Sequence, residues 1–373
     1  MGMMRMMRRS VAAVVSLVVV VALCAGVNVG RLLAAADTLP ARLTDQELWK
    51  LSEEMSEPNG YFRSDNLLSN ELYYPRVLDD LRTRARQGGV YLGVGPEQNF
   101  NYITLLKPKM VFITDIRRGN LHTQLMYKAI FEMSATRADF ISTLFTKPRP
   151  AGLSEKSTAG EIMDAYWNVA TASDAAYKKN LQAIKDHLTK APHKLPLTAE
   201  DLDGIEYVYY NFYWFGPSIT YNSSTNGGGG GRGGSNMANY ATLMAATDET
   251  GGFRSYLTSE ETFLTMKSLE ERNMLVPVVG NFGGPSALRA VGKYVREHGA
   301  VVSAFYLSNV EQYLRQDNIW DAFCRNVATM PLDAQSTFIR SGQGGIGGGG
   351  GGLMNALGSM ADETRACAAP AAR

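Results

Sequence analysis

Two hydrophobic patterns alternate along the chain. Val90–Val94, Met110–Thr114, Leu275–Val279 and Ala300–Tyr306 are short apolar runs without charge. Their length and β-branched content predict strands buried on both faces. Around them, apolar residues recur at helical spacing. Thr44-Asp45-Gln46-Glu47 is a capping box and predicts a helix through Met55, stopped by Pro58-Asn59-Gly60. Further helices are predicted over 73–87, 97–106, 120–134, 286–298 and from Val310 onward. Strands alternating with helices predict an α/β fold: one doubly wound, mostly parallel, Rossmann-like sheet over residues 37–341. The middle of the chain interrupts it. Residues 150–200 read as amphipathic helix, and Thr198-Ala199-Glu200-Asp201 opens another helix with Leu202, Ile205, Tyr209, Phe212 and Phe215 on one stripe. This predicts a helical insertion over about 150–250. The aromatic cluster Tyr207, Tyr209, Tyr210, Phe212, Tyr213 and Trp214 reads as core packing, with a pocket lining as the alternative.

The N-terminus follows a different logic. Arg5, Arg8 and Arg9 precede a charge-free run from Ser10 to Gly30, the form of an export signal or a membrane anchor. Three fates fit: cleavage after Ala34-Ala35-Ala36, lipidation at Cys24, or retention as an anchor with the arginines inside. All three place the remainder in the periplasm or cell envelope. Residues 342–373, rich in glycine and alanine, are expected to be a disordered tail. The tracts Gly227–Gly234 and Gly344–Gly352 read as low-complexity loops.

Composition narrows the chemistry. A net charge of +1 over 373 residues carries no nucleic-acid footprint. Three cysteines and four histidines, with no CxxC or HExxH spacing, lead us to expect no metal. Cys324 sits among Trp320, Phe323 and Val327 and reads as a small buried apolar residue, although pairing with Cys367 is open in an oxidising compartment. His187 and His193 flank a Lys-rich helix end, where the helix dipole accounts for them. His122 and His298 fall on predicted helices.

In open α/β sheets, ligands sit at the carboxyl ends of the strands. The candidates there are Gly93, Gly95 and Glu97 after the first strand, and Asp115 with Arg117 and Arg118 after the second. Asn281 follows the third strand, and Asn309 the fourth. Asp115 lies twenty positions after Gly95, the offset of an acid that binds a ribose diol. Arg63, Ser64, Asp65, Asn66, Asn70 and Glu71 form a dense polar segment, read either as an ordered loop or as a lid binding the ligand's polar end. Glu311 and Tyr313 are the candidate bases. Gln98 stands where the dinucleotide fingerprint has its third glycine, which disfavours NAD.

Several long segments carry a resemblance: Ser56–Glu71, Tyr91–Phe100, Asp115–Asn120, Ser308–Leu314 and Ser336–Ser341. In these the chain resembles an uncharacterised bacterial family of hypothetical proteins, with a leptospiral member and a class I methyltransferase-like Rossmann fold. The resemblance implies that fold over 44–341 and carries no established activity with it. The nucleotide-like small ligand is read from the strand-end residues themselves, and that strand–turn–strand-end pattern is similar to class I methyltransferases, which makes S-adenosylmethionine the candidate cofactor. Tyr91 and Glu97 depart from the methyltransferase motif, which has an acid and a glycine there. The alternative is therefore a non-catalytic envelope protein that uses the same crevice for another ligand.

Overall fold

The structure is a computed structural model that describes residues 37–226, 237–343 and 353–368. Both glycine tracts and the N-terminal segment lie outside the described residues, entirely or for the most part.

Six strands form one sheet: β1 (Val90–Gly93), β2 (Met110–Asp115), β3 (Leu275–Val279), β4 (Val302–Ser308), β5 (Thr337–Gln343) and β6 (Leu353–Ser359). Their order is β3-β2-β1-β4-β5-β6. All neighbours pair in parallel except β5 and β6. The first four strands are buried almost throughout, as their uninterrupted apolar sequences require. Pro277 has no N–H to give a ladder, and it is tolerated because β3 is the edge strand.

The described residues contain fourteen α-helices. Before β1 come α1 (Asp45–Met55) and α2 (Leu78–Arg84). Thr44 caps α1 through the expected box, its backbone N–H donating to Glu47 Oε2 at 2.7 Å. The helix α3 (Gln98–Leu106) joins β1 to β2, and α4 (Arg118–Met133) follows β2. The insertion comprises α5 (Arg137–Phe145), α6 (Ala159–Trp167), α7 (Asp174–Thr189), α8 (Ala199–Phe215), α9 (Tyr240–Met244) and α10 (Glu260–Glu271). It begins earlier and ends later than its composition suggested. Then α11 (Ala287–Glu297) joins β3 to β4, α12 (Val310–Gln316) and α13 (Trp320–Ala328) lead to β5, and α14 (Met360–Ala368) follows β6. The chain steps from β1 to β3 in one direction and then returns to β4 and β5. Right-handed crossovers therefore put α3 and α4 on one face and α11 to α13 on the other.

The insertion packs on α4 through α8, where Tyr209 and Phe212 are fully buried and Tyr213 nearly so, as core packing requires. The core reading is corrected for the rest of the cluster: Tyr207 and Tyr210 are half-buried and Trp214, on the outer side of the helix, is exposed. Arg137, buried at 1% exposure, ties its loops together. Its guanidinium donates to Glu260 Oε1 and to the carbonyls of Leu257, Thr258, Glu155 and Ser157 at 2.7–3.0 Å.

The C-terminal expectation is corrected. Residues 353–368 are strand and helix, not a disordered tail. β6 pairs along all of β5, Met360 is fully buried, and Cys367 forms a disulfide with Cys324. The reading of Cys324 as a free apolar residue is corrected with it. These elements follow a glycine tract that carries no local pattern, so the sequence alone left them looking unsupported. Among the described residues no helix is long and apolar enough to cross a membrane.

Candidate functional site

A cavity of about 380 Å³ opens at the carboxyl ends of the strands. It lies where the strand order reverses between β1 and β4, the position a doubly wound sheet leaves open for a ligand. The first four strand ends contribute: Gly95 and Pro96 after β1, Asp115 at the end of β2 and Ile116 after it, Asn281 and Phe282 after β3, Tyr306 and Ser308 from β4. The segment 61–70 forms one wall with Phe62, Arg63, Asn66, Ser69 and Asn70. Tyr313, Leu314, Asp317 and Ile319 form another, and Tyr221 reaches in from the insertion.

The turn after β1 is built for close approach. Gly95 has φ +73°, and its missing side chain faces open space. Gly93 does not line the cavity. A Cβ there would collide with the Asn99 side chain. That amide closes the turn by donating to the carbonyls of Val94, Gly95 and Pro96 at 2.7–3.2 Å. Gly93 therefore supports the turn from behind.

Asp115 is buried and lines the cavity. Its Oδ1 accepts from the Arg117 backbone N–H at 2.9 Å and its Oδ2 from Arg117 Nη2 at 3.3 Å, which fixes the carboxylate and leaves lone pairs on both oxygens. Arg117 lies outside the lining. Its guanidinium also donates to the Asp65 carbonyl, so it orients Asp115 and anchors the 61–70 wall. Arg118 is likewise consumed internally, by Asp201 at 2.7 Å and Glu53 at 3.2 Å.

Glu97 departs from its expected role. It is fully buried beneath the turn and outside the lining. Both carboxylate oxygens face the Ser69 N–H at 3.2 Å. Burial pushes its pKa up to about 8; the Ser69 hydrogen bond works against this, and the neighbouring Glu71 charge adds to it. Glu97 is thus a neutral anchor for the wall at pH 7.

Asn281 lines the cavity, its Oδ1 accepting from Gly283 N at 2.9 Å. Asn309 also lines it and makes no side-chain hydrogen bond among the described residues. Asn66 lines it with a left-handed φ of +46° and a buried Oδ1 without a partner. Ser64 lies behind the lining, its Oγ accepting from Asn66 N at 3.4 Å. Arg63 lines the rim, donating to Tyr313 Oη at 3.2 Å, and Tyr313 packs edge-on against Phe62. Glu311 does not line the cavity. Arg340 Nε holds it at 2.9 Å in an ion pair, which leaves Tyr313 as the candidate facing a ligand.

Sequence reading missed the support behind β4. Glu71, fully buried, accepts from Tyr306 Oη at 2.7 Å and Ser308 Oγ at 2.5 Å through one oxygen, and from Asn355 Nδ2 at 2.8 Å through the other. Ser308 has φ +50° at a register shift between β4 and β5. A non-glycine residue held there is costly, and such strain gathers at ligand sites. Glu71 stood in the dense polar segment, but nothing in its spacing marked it as the one that turns inward.

The lining has two carboxylates, Asp115 and Asp317, and one guanidinium, Arg63, which is exposed. It has no lysine. The N-terminus of α11 faces the same end of the sheet but already holds the Glu57 carboxylate. Glu57 accepts from the N–H groups of Ser286 and Ala287 at 2.9 Å and Asn281 at 3.1 Å. The site therefore suits a neutral or cationic ligand with polar edges, and not a polyphosphate.

Comparison with family profiles matches residues 64–201 and 220–348 to the family described as Domain of unknown function (DUF7790). The chain belongs to the DUF7790 family. Comparison with curated proteins finds no match. The DUF7790 match spans every strand except β6, together with Asp115, Glu71 and Asn309, and stops in the glycine tract before β6.

Proposed function

We propose that this chain binds a nucleoside-like small molecule of adenosyl type at the strand ends, on a methyltransferase-like variant of the Rossmann scaffold. The observation that carries the reading is the buried Asp115 carboxylate facing a cavity at the sheet's switch point, opposite the open backbone of Gly95. Asp115 accepts the ribose hydroxyls, Gly95 lets the sugar approach, and the aromatic walls Phe62, Tyr221 and Tyr306 pack a base. The acidic lining favours the sulfonium of S-adenosylmethionine over the pyrophosphate of NAD, and the buried Gln98 at the third fingerprint position agrees. The antiparallel sixth strand supports a methyltransferase-like scaffold over an all-parallel dinucleotide one. In this reading Asn66, Asn281 and Asn309 supply polar contacts, and Tyr313 with Arg63 closes the acceptor side.

The disulfide favours a second reading, in which the domain is exported and the crevice holds an envelope ligand without catalysis. Disulfides persist in oxidising compartments, whereas S-adenosylmethionine is cytoplasmic. Two measurements separate these. Thermal-shift titration with S-adenosylmethionine, S-adenosylhomocysteine, adenosine and NAD should raise the melting temperature for the first three, and Asp115→Ala should abolish the rise. A flat response to all four discards the adenosyl reading. Mass spectrometry of the native protein reads the N-terminus: a start near Asp37 or a lipidated Cys24 supports export, and an intact Met1 opposes cleavage.

A further inference from the structure

Away from the cavity, three elements of distant sequence bring metal-ligating atoms together. Glu132 ends α4, His187 sits in the last turn of α7, and His193 follows in the turn after it. One oxygen, Glu132 Oε2, faces both His187 Nε2 at 2.7 Å and His193 Nε2 at 2.5 Å. The three donor atoms lie within 4.8 Å of one another. None of the three residues lines the ligand cavity.

The surroundings hold these donors in place. His193 Nδ1 faces Asp45 Oδ1 at 2.7 Å, so a carboxylate behind the ring aims Nε2 forward. That carboxylate–histidine pairing is the usual support of a metal-bound imidazole. Asp45 is itself fixed by Asn273 Nδ2 at 2.8 Å. The other oxygen of Glu132 accepts from Lys128 Nζ at 2.6 Å, which also donates to Glu270 O and Asn273 Oδ1. Glu132 is 5% exposed, His193 10% and His187 17%. Beside them Glu270 is 1% exposed, and its Oε1 has no hydrogen-bond partner. It is a buried acid able to balance an added positive charge.

We propose that Glu132 Oε2, His187 Nε2 and His193 Nε2 bind one zinc-class transition-metal ion, which cross-links the helical insertion to α4. Two imidazoles and one carboxylate suit zinc and its neighbours, and disfavour magnesium and calcium. Bonds of about 2.0–2.1 Å in a tetrahedron require donors a little over 3 Å apart, so the two Glu132–histidine contacts open by under about 1 Å while the two imidazole nitrogens, within 4.8 Å of each other, settle to the same spacing. A water completes the four ligands. In the metal-free protein both nitrogens of His193 face carboxylates, and the Nε2 of His187 faces Glu132, so each Nε2 donates a proton there. Metal binding displaces both Nε2 protons to solvent, and His187 takes up the tautomer protonated on Nδ1.

The test is equilibrium dialysis of chelator-treated full-length protein against zinc, with magnesium as the control. One zinc per chain is expected, with a Kd in the micromolar range or tighter, and no magnesium. His187→Ala should weaken binding at least about tenfold, and Asp45→Asn, which touches only the support, by about 10- to 100-fold. Circular dichroism checks that each variant is folded. The zinc X-ray absorption spectrum of the wild-type protein needs no variant and should show two imidazoles. Less than stoichiometric zinc, unchanged affinity in folded His187→Ala, or a spectrum without imidazole overturns the proposal.

Discussion

Replacing Glu97 by glutamine isolates the energetic consequence of the buried carboxyl. The folded protein keeps the Glu97 proton up to about pH 8, whereas the unfolded chain releases it near 4.5. Between these values the unfolded state binds fewer protons, so stability falls as pH rises. The full window corresponds to about 5 kcal/mol, an upper bound because the site can relax. Over the narrower span from pH 5 to pH 7.5 it amounts to about 3 kcal/mol. Glu270 is buried with a similarly raised pKa, and burial lowers that of His122, so the wild-type profile alone mixes several groups. The difference between variant and wild type removes the shared terms. Glu97→Gln keeps an oxygen to accept from Ser69 N but has no proton to lose. Urea unfolding at several pH values should therefore show the variant gaining about 3 kcal/mol on wild type between pH 5 and 7.5. Parallel profiles would refute the claim that Glu97 is a neutral anchor.

Other perturbations follow from single contacts. Reducing the Cys324–Cys367 disulfide frees a loop with a sequence separation of 43 and should cost about 4 kcal/mol on the chain-entropy estimate, read by guanidinium unfolding with and without reductant. Gly93→Ala forces a methyl into Asn99 and should destabilise by about 1–3 kcal/mol while weakening any ligand bound at Gly95; a variant with wild-type stability contradicts the role given to that turn. Arg137→Met leaves Glu260 and four carbonyls of the insertion loops without their donor, and should cost about 3–5 kcal/mol in denaturant unfolding.

The sequence and the structure agree where one physical rule dominates. Uninterrupted apolar runs placed β1 to β4 within two residues, because strands buried on both faces tolerate nothing else. The capping boxes at Thr44 and Thr198 placed two helix starts, because side-chain caps are local. Agreement fails where tertiary contact decides. β6 and α14 follow a glycine tract and depend on pairing with β5 and on the disulfide, which no local pattern announces. Asp115, Asn281 and Asn309, read as strand-end polar residues, line the cavity, and so does Tyr313, read as a candidate base on the helix after β4. Glu97 and Glu311 were named by the same rule, yet one turns under the strand and the other turns to Arg340. Position after a strand does not fix side-chain direction. Glu71 and the Glu132–His187–His193 cluster stayed hidden because their partners are dozens of residues away in sequence.

Calorimetric titration with S-adenosylhomocysteine, on wild-type protein and Asp115→Asn, tests the central claim most directly. Asparagine keeps the size of Asp115 but replaces an acceptor oxygen with an amide, so the fold should persist while the ribose contact is lost. The account predicts one-site binding in the wild type, weakened at least about tenfold in the variant, since a hydrogen bond to a charged group contributes about 1.5–3 kcal/mol. No binding to the wild type, or equal affinity in both proteins, would contradict an adenosyl site at the end of β2.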